Sequence, residues 1–140
     1  MSSENLVQMR KTMCDAWSKH QQQSILTPLE AQIVSILQQH TEYHSEFNAD
    51  AGTLSKDYGK DPLDNPFLHV SLHIAIEDMI KTDRPQGVKT RYNQLLHKGH
   101  HIHDVQHTLM KALQKTLNHA QSLGGAPNEA YFLDLLAQIS

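Results

Sequence analysis

Cysteine is almost absent from this chain: Cys14 stands alone among 140 residues. One cysteine excludes an intrachain disulfide framework and any metal site built on several thiolates. No apolar run is long enough to span a bilayer, so no membrane association is expected. The opening stretch carries Glu4, Arg10, Lys11 and Asp15 among its apolar positions, which leaves no core for a signal peptide. A cytoplasmic location is expected. Twelve Lys and Arg against fifteen Asp and Glu give a net charge of -3, and the cations are scattered. No nucleic-acid surface is therefore expected. Nothing here specifies a partner or an oligomeric state.

The length suits one domain with one core, and a mean hydropathy of -0.52 is that of a water-soluble chain. Apolar residues recur at helical spacing. Leu6, Met9, Met13, Ala16 and Trp17 mark a first helix to about His20, with Cys14 packed along it. Thr27, Pro28 and Glu30 form a capping box for a second. Its stripe, Leu29, Ile33, Ile36 and Leu37, continues at the same spacing into His40 and His44. Residues 47–64 read as a long polar loop. Asn65 and Pro66 then open a third helix that reaches about Lys81. Pro85 breaks the chain before a short helix over 88–97. The longest helix starts near His101, carries Val105, Leu109, Leu113 and Leu117, and stops at Gly124. A last one over about 128–139 brings Ala130, Leu133, Leu136 and Ala137 to the core. No period-two pattern competes. The expectation is an all-α bundle of five or six helices in a single domain, centred on an antiparallel second and third helix.

What the chain has in excess is histidine, eleven in all. Three pairs share one skeleton: His40 and His44, His69 and His73, His103 and His107. Residues four apart on a helix lie on one face, so each pair can offer two imidazoles to one point. The first pair closes the second helix, and the other two pairs open theirs. With neighbouring helices antiparallel, all three would converge at one end of the bundle. For any single pair the plainer reading is a hydrogen-bonded rim imidazole. The coincidence of three favours metal. His20, His97, His100, His101 and His119 lack the pattern and should face solvent.

Neutral imidazoles suit a transition metal, zinc first and iron second, rather than magnesium or calcium. Six exceed the four ligands of a closed zinc site, so either two ions bind or some rings support others. The third pair approaches the zinc-protease motif His-Glu-x-x-His, but Asp104 is one methylene shorter than the glutamate base that motif needs. A di-iron carboxylate bundle would need more acidic ligands than the helices supply.

"LTPLE", "HTEYH", "NPFLHVSLH", "TDRPQG", "HDVQH" and the late "EAYFLDLL", in this order, resemble an uncharacterised bacterial family, domain-of-unknown-function family 1841. The resemblance spans most of the chain and implies no particular activity. In the family pattern a proline stands where this chain has Thr41, a glutamate where it has Asp104, a further glutamate where it has Lys111 and a tryptophan where it has Asn118. The histidines are kept and the carboxylates are not. The reading is a helical protein that binds a transition metal through His40, His44, His69, His73, His103 and His107, with no catalytic residue assigned. The alternative is a non-enzymatic interaction module with structural histidines. Enzymatic activity is left open.

Overall fold

The computed structural model describes residues 3–47 and 51–139. Among them are seven α-helices, one 3₁₀ helix and no strand. The helices are α1 (Ser3–Gln21), α2 (Pro28–Gln38), α3 (Ala51–Ser55), α4 (Pro66–Thr82), α5 (Val88–His97), α6 (Ile102–Leu123) and α7 (Glu129–Ala137). The 3₁₀ helix covers Thr41–Glu46. The fold class is all-α. None of these helices is long and apolar enough to cross a membrane. By their contacts the residues form two compact units, one ending at Ser71 and one beginning at Leu72. The division falls within α4, which runs unbroken through it.

In the first unit α1 packs on α2 and α3, and α2 packs on the 3₁₀ helix. Met13, Cys14, Ala16 and Trp17 of α1 and Ile33, Val34, Ile36 and Leu37 of α2 are buried. Removing each large apolar side chain from water contributes about 1.5–3 kcal/mol. The capping box is formed: the Glu30 amide donates to Thr27 Oγ1 and the Thr27 amide donates to Glu30 Oε1. Leu29, expected in the buried stripe, is 48% exposed, and Val34 takes a core place instead. In the first turn of α2 it is Glu30 that is buried, paired with Lys19 of α1.

Helix α3 falls inside the stretch expected to be loop. Its cause is not local. Buried Arg10 of α1 donates through Nη1 to the carbonyls of Leu54 and Lys56, 3.1 and 2.7 Å away. It thereby satisfies acceptors that a short helix leaves open at its C-terminal end. The guanidinium also lies over the rings of Tyr58 and Phe67, 5.2 and 5.1 Å from their centroids.

Asn65 caps α4 by accepting from the Leu68 amide. In the second unit α5, α6 and α7 pack on one another around buried Val88, Tyr92, Leu95, Val105, Leu109, Met110, Leu113, Phe132 and Leu136. The Asp83 carboxylate receives the amides of Gly87 and Lys89 and so starts α5. Gly124, at φ +70°, ends α6 in the left-handed region where glycine is unstrained. Asn128 caps α7. At α7 the core positions are Phe132 and Leu136, while Ala130 and Ala137 are exposed. At the far end of the α6 row Leu117 is 37% exposed.

Candidate metal centre

The first histidine pair does not sit on an α-helix. Helix α2 ends at Gln38, and His40 has φ -130° and ψ 70°, outside helical geometry. The expectation that His40 and His44 close the second helix is therefore corrected. Both imidazoles are turned back onto the helix that has just ended. His40 Nδ1 donates to the Ile36 carbonyl at 2.7 Å, and His44 Nε2 donates to the Leu37 carbonyl at 2.7 Å. These are among the last carbonyls of α2, which also receive the Gln39 and His40 amides, so both histidines add a second donor at the C-terminal end of the helix. The His44 ring packs on Trp17, 4.3 Å between centroids.

The change of helix type also alters which residue stands beside His40. With three residues per turn, positions i and i+3 eclipse, and Tyr43 rather than His44 lies over His40, with centroids 5.3 Å apart and planes within 8°. Burial, followed by the charge of Glu42, raises the Tyr43 phenol above its ordinary pKa.

His40 is buried, and its Nδ1 proton is committed to a carbonyl, so the neutral ring offers a lone pair at Nε2. His69 Nε2, from α4, stands 3.0 Å from that atom. A backbone carbonyl that fixes the tautomer of one ring is the support that metal-ligating histidines commonly have.

In the second unit His73 of α4 meets the third pair. Its Nε2 is 3.1 Å from Nε2 of His107, and its ring is 5.3 Å from that of His103. His103 and His107 face each other one turn apart on α6, 4.1 Å between centroids, as the spacing anticipated. Each of the three rings offers a nitrogen, and these nitrogens lie within 4.8 Å of one another. His73 is 1% exposed, while His103 and His107 are half-buried. Two nitrogens bound to one tetrahedral ion at about 2.0–2.1 Å would stand about 3.3 Å apart. The spacing of His73 and His107 is within a few tenths of an ångström of that.

Five of the six sequence-predicted ligands thus meet another histidine: His40 with His69 in the first unit, and His73 with His103 and His107 in the second. The pair on α4 contributes one ring to each group. His44 is held on the Leu37 carbonyl and Trp17. Tyr43, Trp17 and the two carbonyls of α2 were not foreseen. Only the 3₁₀ geometry at residues 41–46 reveals Tyr43. Asp104 is exposed and lines a shallow cavity of about 90 Å³ with Leu95, His100, Val105, Thr108 and Ile139. Of the histidines outside the pairs, His97, His100 and His101 are exposed. His20 and His119 are half-buried, packed on Trp17 and stacked on Tyr131.

Residues 5–138 match the family model described as a domain of unknown function, DUF1841, and the chain belongs to that family. No curated protein and no solved structure matches the chain.

Proposed function

We propose that this member of the DUF1841 family is a transition-metal-binding protein whose ligands are histidines of the three pairs. The observation that carries the proposal is the approach of His73, His103 and His107, whose ring nitrogens lie within 4.8 Å of one another. Three imidazoles from two helices are a donor set that suits zinc, with iron second. His40 and His69 are the next candidates, because the Ile36 carbonyl holds His40 in the tautomer that turns its Nε2 toward His69 Nε2, 3.0 Å away. His44 supports the site through the end of α2. A cytoplasmic location fits the single buried cysteine.

The test is metal analysis of protein purified without a histidine tag, followed by zinc and iron titration of the stripped protein. A retained metal that is lost in H73Q and in H107Q supports the reading. A metal-free protein whose melting is unchanged by either ion overturns it. The same two substitutions should leave circular dichroism helical. H40Q and H69Q ask how far the ligand set extends.

A second reading has its own observation. His40 and His44 both cap α2 through backbone carbonyls, as expected of a helical interaction module with structural histidines. On that reading zinc and iron change nothing, whereas H40Q and H44Q lower stability.

A further inference from the structure

We infer that the second unit carries a further binding site, between α6 and α7, for a small amphiphilic carboxylate: an apolar body with one anionic head. The site is made of other residues than the histidines and needs no metal. A cavity of about 260 Å³ lies between the two helices, walled by Thr108, Ala112, Leu135 and Ile139, with exposed Lys111 and Lys115 at its edge. The lysines are four apart on α6, so both ammonium ions serve the same side of it. Drug-sized sites span about 300–1,000 Å³. The occupant here is therefore small.

Two observations give the occupant its charge. Among the described residues neither lysine has an ion-pair partner. The end of α7, which a cation ordinarily answers, is already held by Arg91 of α5: Nε donates to the Leu136 carbonyl at 2.9 Å and Nη2 donates to the Ile139 carbonyl. Two uncommitted cations beside an apolar wall are complementary to an anion with an apolar body. No arginine and no helix start lines the cavity to add the forked or backbone donors that favour phosphate. The head that fits is a carboxylate. Its orientation follows from the neighbouring cavity, which shares Thr108 and Ile139 and is lined on its far side by Asp104, Leu95 and Val105. The Asp104 carboxylate repels an anionic head, so the head lies at the lysines and the tail points toward Val105 and Leu95.

The experiment titrates the full chain with octanoate, octanol and inorganic phosphate and follows the backbone amides by NMR, first as purified and again with a chelator present. The expected result is a saturable response to octanoate confined to the amides around Thr108, Lys111, Lys115, Leu135 and Ile139 and unchanged by the chelator. The double variant Lys111→Gln, Lys115→Gln should bind octanoate about three- to tenfold more weakly, the amount that two exposed ion pairs supply. Both lysines are exposed, so this variant should melt with the parent. No saturable response to octanoate, an equal response to octanol, or an undiminished response in the double variant overturns the inference. Phosphate that binds as well as octanoate overturns it too, since the cations then act without the apolar wall. A response that vanishes in chelator belongs to a bound metal, and the site between α6 and α7 fails.

Discussion

His73 Nε2 and His107 Nε2 stand 3.1 Å apart on two different helices, close enough that one ring must donate and the other accept. An added ion replaces that shared proton. Ordinary imidazoles protonate near about pH 6.5, and only the neutral form ligates. Zinc affinity should therefore fall steeply between about pH 7 and pH 5. Titration of the stripped protein at stepped pH measures it, and a flat affinity would remove these rings from the site.

H44F keeps a ring against Trp17 but loses the donor to the Leu37 carbonyl. The expected cost is about 0.5–1.5 kcal/mol, that of one net hydrogen bond. Urea unfolding measures it, and metal content should stay at the parent level.

Thr27→Ala removes one half of the capping box at α2 and should cost about 1 kcal/mol. Glu30, the other half, has its pKa lowered, first by the Lys19 ammonium at 2.7 Å and then by the Thr27 amide. A carboxyl with a lower pKa in the folded chain contributes stability above its unfolded value, and loses it as pH falls toward the folded one. E30Q should thus melt below the parent at neutral pH, and the gap should narrow in acid.

Tyr58 is pushed up to about 12, first by burial and then by its hydrogen bond of 2.5 Å to Glu46. The sign is opposite to that of Glu30. Stability is fully present below about pH 10 and declines as pH rises toward the folded value. Phenolate absorbance should show tyrosine titrating above its ordinary range, and E46Q should bring part of that titration earlier.

Phe132 is 2% exposed in the core of the second unit. Phe132→Ala should cost about 3–5 kcal/mol, from lost burial and the cavity left behind. Thermal and denaturant unfolding would both register it.

The long helices were legible because their apolar rows and end signals are local: Thr27 and Glu30 at one start, Asn128 at another, Gly124 at a stop. Helix α3 was not, because Arg10 holds it from more than forty residues away. The histidine pairs divide the same way. On α6 the four-residue spacing gave the right face, since the segment is α-helical. At His40 the same spacing misled, because α2 stops two residues earlier and both imidazoles turn back to donate to its last-turn carbonyls. A periodicity can mark residues as equivalent without showing that the helix which makes them so continues.

Helix α4 is shared by the two units, and that bears on how the gene could be divided. A cut between Ser71 and Leu72, natural by contacts, would leave each fragment a stub of α4, and short isolated helical segments do not persist in water. It would also part His69 from His73, neighbours on one turn. Neither half is a ready-made expression unit. Recombination at this point would have to rebuild a helix as well as join two chains, so the two units are expected to be inherited together.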